Sequence, residues 1–200
     1  MPKPDVSEAR KARILAAARR VFAEHPYERV TMRQIIAESG LSTGGVYWYF
    51  QSKEEILAAL LWQIAEENFA RIDAILNAPL PPTHKLEQVV MLMVGQSESL
   101  SHLYLNRAKY HAMLSAEPAT RAIMERIGTG YRARLQAILE QGFASGKFRR
   151  LEAASAANTL LGTYEGLMLL WVISPEPLDL EKSLLSAAQI LLAGLQMPAE

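Results

Sequence analysis

Between Thr31 and Leu57 the chain reads TMRQIIAESGLSTGGVYWYFQSKEEIL, a stretch in which hydroxyl, aromatic and basic side chains alternate with apolar ones at helical spacing. Ile35, Ile36, Leu41, Val46 and Phe50 are placed to pack two short helices across a tight turn at Gly40. This spacing predicts a helix-turn-helix, whose second helix enters the major groove of DNA. If Val46 and Phe50 face inward, Thr43 with Tyr47, and Gly44 with Trp48, face outward. The outward face is then small at its start and aromatic at its end. Two adjacent glycines, Gly44 and Gly45, cost a helix about 1 kcal/mol each relative to alanine. Either the backbone comes close to another surface there, DNA in this case, or Gly44 packs tightly on the preceding helix.

No other spacing in the chain supports catalysis. Cysteine is absent, which removes disulfides, thiolate metal sites and cysteine nucleophiles together. His84, His102 and His111 do not stand at metal-ligand spacing with carboxylates, and no Ser/His/Asp grouping or phosphate-binding glycine loop occurs. The expectation is a protein without catalytic residues, metal or cofactor. The rival from another class is a helical enzyme carrying an incidental helix-turn-helix.

The elements that must position these residues are all helical, with apolar positions at i, i+3, i+4 and i+7 almost throughout. Ser7 is placed to cap a first helix, whose buried face is Ile14, Leu15, Ala18, Val21 and Phe22 and which Pro26 ends. Thr31 with Gln34 forms a capping box, Gly40 stops that helix, and Ser42 caps the next through about Phe50. Ser52 with Glu55 forms a second capping box and launches a long helix to about Ala78. Pro79, Pro81 and Pro82 make the clearest linker. Further helices are predicted near 83–99, 101–116, 118–145, 152–173 and 179–196, with Pro118 in a first turn and Gly146 closing a helix.

With these residues in view, the chain resembles the TetR family of transcriptional regulators. Thr31, Ile35, Gly40, Ser42, Gly44, Tyr47, Phe50, Ser52, Lys53 and Glu54 match its N-terminal signature, and Ile14, Leu15, Val21, Phe22 and Tyr27 fit its first helix. The resemblance implies an all-α fold: a three-helix DNA-binding domain over 1–52, followed by a helical effector-binding and dimerisation domain over 53–200. It also implies that Thr31 binds a phosphate at a helix N-terminus, Tyr47 donates to a phosphate and Lys53 neutralises one. Ser42, Thr43 and Trp48 are placed for backbone or base edges, and Arg33 for a phosphate or a guanine. Tyr47 has packing of its ring as its alternative, and Arg33 simple solvation. The chain departs from the family pattern at Ile36, Pro26 and Gly45, and Gly45 offers no side chain to a base.

Charge is asymmetric, although the total is zero. Through residue 53 there are nine Lys or Arg against five acids, so this end carries four net positive charges and the remainder four negative. A basic end fits salt-dependent DNA binding, although a charge run is more often a solvated face.

Beyond residue 60, soft and aromatic apolar residues accumulate, and most of them fill the core. The resemblance implies a ligand cavity among the middle helices, with Trp62, Met91, Tyr104, Tyr110, Met113, Tyr131, Met168 and Trp171 as lining candidates. Asn106, His111, Asn158 and Glu165 are polar candidates on the same helices. Leu160, Leu161, Tyr164, Leu184, Ala188, Leu191 and Leu192 form wider apolar faces than a monomer needs, and the resemblance implies a four-helix dimer bundle. The resulting expectation is a homodimeric repressor on a palindromic operator in double-stranded DNA, released by a small, largely apolar effector. A regulator without an effector is the alternative within this class. The charged N-terminus and a longest apolar run of Leu167 to Ile173, short of the ~20 residues a membrane helix needs, predict a cytoplasmic protein without a membrane partner.

Overall fold

The computed structural model describes residues 6–95, 118–174, 176 and 178–196. These contain eight α-helices: α1 (Val6–Glu24), α2 (Met32–Ser39), α3 (Thr43–Tyr47), α4 (Lys53–Asn77), α5 (Pro82–Gly95), α6 (Pro118–Ala144), α7 (Ala153–Ile173) and α8 (Leu180–Leu195). The helix expected over 101–116 and the end of the one expected over 83–99 lie outside the described residues. The chain divides into two compact units. Among the described residues the first takes in 6–65 and 118–125, and the second 66–95 and 126–196. The division falls inside α4. The reason is burial, since Ile56, Leu57 and Leu60 in the opening turns of α4 are fully covered.

In the first unit, α1 buries Ile14, Leu15, Ala17, Ala18, Val21 and Phe22, the single face that its periodicity predicts. Ser7 lies inside this helix and is not its cap, and its hydroxyl accepts from Tyr49 Oη at 3.2 Å. Pro26, at φ −56°, opens a 3-10 turn, Tyr27–Arg29, ahead of α2. The Thr31–Gln34 capping box is complete: Thr31 Oγ1 accepts from Gln34 N at 3.3 Å, and Gln34 Oε1 accepts from Thr31 N at 2.8 Å. A cap of this kind contributes about 1 kcal/mol. Gly40, at φ 62°, closes α2 in the left-handed region. Arg13 of α1 reaches the carbonyls there, donating to Ser39 O at 2.6 Å and to Gly40 O at 3.4 Å.

Ser42 caps α3 by accepting from Gly45 N at 3.2 Å. This helix ends at Tyr47, earlier than the predicted Phe50, because the chain must swing into the start of α4. Ser52 Oγ accepts from Glu55 N at 3.2 Å, as a capping box requires. The Glu55 carboxylate, however, reaches back to the Gln51 N–H at 2.7 Å and not to that of Ser52.

The second unit is built around Ile72, Leu86, Val89, Leu135, Ile138, Leu139 and Phe148. Gly146, at φ 68°, turns the chain out of α6. Phe148 then folds back onto α6, and Arg149 N donates to Leu195 O at 2.9 Å, pinning this segment to the end of α8. Glu152 caps α7 with its carboxylate on Ala154 N and Ser155 N, and Asp179 caps α8 through Lys182 N at 3.0 Å. By length and composition alone α7 is apolar enough to cross a membrane, which the expectation of no such segment did not anticipate. It carries Asn158, Thr159 and Glu165 along its length, and it buries Ala156, Ala157 and Met168 within this unit.

Candidate nucleic-acid interface and the interior of the second unit

Thr31, Arg33, Ser42, Thr43, Gly44, Tyr47 and Trp48 are all exposed on the first unit, Trp48 by 73%. Val46 and Phe50 are buried behind them. A methyl group added at Gly44 would meet nothing within 4 Å, so packing on the preceding helix does not explain that glycine. At Gly45 the same methyl would sit 3.0 Å from Ser42 Oγ, pressing on the cap of α3. Beside the glycine pair an open groove of about 460 Å³ is lined by Val6, Ser7, Arg10, Gly44, Gly45, Trp48 and Tyr49. Arg10 was not among the candidates from sequence. Its spacing from Val6 and Ser7 puts all three on one face of α1, but only the tertiary packing brings that face beside α3.

Internal pairing narrows the charge argument. Arg20 donates to Glu38 Oε1 at 2.6 Å, Arg13 holds the end of α2, and Arg19 is engaged as well. Lys53 is half-buried, with Nζ donating to Tyr27 O at 2.9 Å and to Val30 O at 3.0 Å. Among the described residues of this end, Arg10, Lys11, Arg29 and Arg33 remain exposed and without internal partners.

In the second unit, Asn68 is buried and donates to Tyr131 Oη at 2.9 Å, while the Tyr131 ring meets Phe69 edge-on at 5.0 Å. Arg134 stacks on Phe69 at 4.1 Å and donates to Asp73 Oδ2 at 2.7 Å. Burial pushes the Tyr131 phenol above its ordinary pKa of 10.0, against the Asn68 hydrogen bond, and the Glu165 charge adds to the rise. Tyr164 is raised further, by burial first and then by the fields of Glu165 and Tyr131.

Of the candidate ligand residues, Tyr131, Glu165 and Trp171 are half-buried in the second unit and Met168 is fully buried there, whereas Met91 is exposed. Trp62 is half-buried in the first unit. Tyr104, Asn106, Tyr110, His111 and Met113 lie outside the described residues. A cavity of about 50 Å³ opens between α5, α6, α7 and α8. Its walls include Leu160, Tyr164, Leu184, Ala188, Leu191 and Leu192, residues the sequence suggested for a dimer interface. Leu161, from the same group, packs on the core. The outer faces of these helices also carry Leu169, Leu170, Ile173 and Ile190, the last two 71% and 69% exposed. Both sides of α7 are apolar, so periodicity identifies the helix but not which side turns outward.

A small-start, aromatic-end helix presented behind a capped partner helix defines a helix-turn-helix DNA-binding protein. Residues 14–60 match the family of bacterial regulatory proteins of the tetR type, and residues 82–195 match the C-terminal domain of the BetI-type transcriptional repressors. The chain belongs to the TetR family of transcriptional regulators, an all-helical and non-enzymatic family. It is 25% identical over 187 residues to the fatty acid metabolism regulator protein of Bacillus subtilis, covering 91% of this chain and 93% of that one. In fold it is similar to SmeT, the repressor of the Stenotrophomonas maltophilia multidrug efflux pump SmeDEF (TM-score 0.76, 24% identity, 94% and 91% of the two chains). SmeT also has a structure in complex with triclosan. The regulator FadR from Bacillus subtilis, in complex with stearoyl-CoA, is similar as well (TM-score 0.67, 23% identity, 92% and 99%).

Proposed function

We propose that this regulator binds a palindromic operator as a homodimer and is released by a small, largely apolar effector. The observation that carries the DNA reading is Gly44, a helical glycine with open space around it beside exposed Tyr47 and Trp48. A close-approaching surface gives that glycine a purpose which internal packing does not. Thr31 and Tyr47 hold phosphates, Ser42, Thr43 and Trp48 meet backbone or base edges, and Arg33 reaches a phosphate or a guanine. Residues 1–52 form the DNA-binding domain and residues 53–200 the effector and dimerisation domain.

Dimerisation through α7 and α8 is supported by Leu169, Leu170, Ile173 and Ile190, which stand exposed beside small residues such as Gly162, Ala193 and Gly194. A two-fold dimer presents two recognition helices to successive major grooves, with half-sites about 34 Å apart. An effector is supported by the apolar cavity in the second unit and by the ligands of SmeT and FadR. It acts by population shift: α4 runs from the DNA-reading helices into the second unit, and the effector favours a spacing of the recognition helices that fits DNA less well. It lowers operator affinity only by its differential affinity for the two states. The site of action is the cytoplasm.

A second reading, a regulator without a ligand-sized effector site, draws support from the size of the cavity. About 50 Å³ is well below the ~300 Å³ at which ordinary ligand pockets begin. Selection from a random duplex library, with Tyr47→Ala as control, tests the DNA reading. An inverted repeat enriched by the native protein and not by the variant supports it, and no enrichment overturns it. Measuring affinity for that repeat with and without candidate effectors decides between the two readings.

A further inference from the structure

The cavity between α5, α6, α7 and α8 has an unusual chemistry of wall. Thirteen of its fifteen lining residues are aliphatic or Met, among them Val89, Met93, Leu135, Leu167 and Leu191. Among the described residues, only Thr163 and Tyr164 of the lining carry polar side-chain atoms, and none of the lining is charged. Thr163 Oγ1 donates its proton to Thr159 O of its own helix at 2.8 Å. Among the described residues the Tyr164 hydroxyl has no hydrogen-bond partner, which leaves it the single uncommitted O–H donor in an apolar wall.

We infer that this cavity takes a short, unbranched, neutral aliphatic molecule carrying one carbonyl acceptor, with the carbonyl on Tyr164 Oη and the chain along α5 and α8. The inference rests on the effector reading above and names its ligand class. Volume sets the length, because about 50 Å³ gives room for about four water-sized groups, a chain of about four carbons. Wall chemistry sets the charge. An anion would enter with no cation to meet it, and Glu165 is close enough for its field to act on the Tyr164 phenol. The same field and burial keep that phenol protonated, so it donates and does not accept. Wall shape argues for a chain over a plane, since among the described residues Tyr164 is the only aromatic ring in the lining.

The test titrates the protein calorimetrically with butanone, butanoate at neutral pH, and acetophenone. Butanone is expected to bind, with butanoate at least about tenfold weaker because its charge must be desolvated without a partner. Acetophenone, a similar acceptor on a rigid ring, is expected to be weaker as well. Tyr164→Phe is expected to weaken the ketone about fivefold, the worth of one hydrogen bond. Val90→Phe, which fills the cavity, abolishes binding. Should either variant fail to fold, the order of the three ligands on the native protein still decides. No binding of butanone, or equal binding of butanoate, overturns the assignment. Ketone binding that leaves operator affinity unchanged supports the site and overturns release by effector, so the two failures stay distinct.

Discussion

The Lys53 ammonium donates to the carbonyl of Tyr27 at 2.9 Å and lies 4.3 Å from the centre of the Tyr27 ring. Its second acceptor is Val30 O at 3.0 Å, and Tyr27 Oη in turn donates to Glu54 at 2.8 Å. The first turn of α4 is thereby bolted to the 3-10 turn that leads into the Thr31 cap. Two of the three ammonium protons are engaged within the protein, so the phosphate role that the family resemblance gives Lys53 competes with a structural one.

Lys53→Met is accordingly expected to lower unfolding free energy by about 2 kcal/mol, the worth of charge-assisted hydrogen bonds lost from a half-buried group. The slope of log affinity against log salt on duplex DNA is expected to change by less than the roughly one unit that marks a lost phosphate contact. Urea melts and a salt titration measure both. A slope reduced by a full unit with unchanged stability would return Lys53 to the phosphate.

Gly44 permits a prediction with opposite signs in two assays. With nothing within 4 Å of an added methyl, Gly44→Ala is expected to stabilise the free protein by up to about 1 kcal/mol, the helix-propensity difference. The same methyl stands where DNA approaches, so affinity for the selected operator is expected to fall. A rise in melting temperature with undiminished affinity would remove Gly44 from the interface.

These two positions also mark what the sequence could and could not convey. Caps at Thr31, Ser42 and Ser52 and the turn at Gly40 are local chemistry, decided by residues three or four apart, and they were legible. The outward side of α7 was not, because Leu160 and Leu170 are equally apolar and only the packing of α5 and α8 distinguishes them. Lys85 makes the point from the other side. It reads as a solvated lysine, yet it is buried, with Nζ donating to Leu76 O at 2.7 Å and Gln141 Oε1 at 2.8 Å, partners on α4 and α6. Arg10 and the groove beside α3 belong to the same class, since residues far apart in the chain create them.

Phe148 and Gly142 depend on one another in the same way. A methyl group at Gly142 would fall within the Phe148 ring, and the ring is fully buried against α6. Gly142→Ala is expected to cost about 1–3 kcal/mol through overpacking. In a Phe148→Ala background the same change is expected to be neutral or mildly stabilising, because the clash is gone and alanine favours the helix. A double-mutant cycle in denaturant measures the coupling, and additive costs would show that the ring yields easily.

Alkaline pH addresses the interior of the second unit. The Tyr131 and Tyr164 phenols are raised above the unfolded value, chiefly by burial. A raised folded pKa means that the folded protein holds these protons more tightly than the unfolded chain does. Their stabilisation is therefore complete below about pH 10 and is lost as pH climbs from there through the folded values. Melting temperature is expected to fall steeply above about pH 10, and Tyr164→Phe, which removes one such proton, is expected to flatten that fall. Tyr131→Phe flattens it too, but costs about 1 kcal/mol at neutral pH because the Asn68–Tyr131 hydrogen bond is lost. Phenolate absorbance gives the direct check, with Tyr131 and Tyr164 ionising late and together with unfolding. Ionisation of Tyr164 near the ordinary tyrosine pKa in the still-folded protein would mean that water reaches it, and that the cavity it lines is wetter than its apolar walls imply.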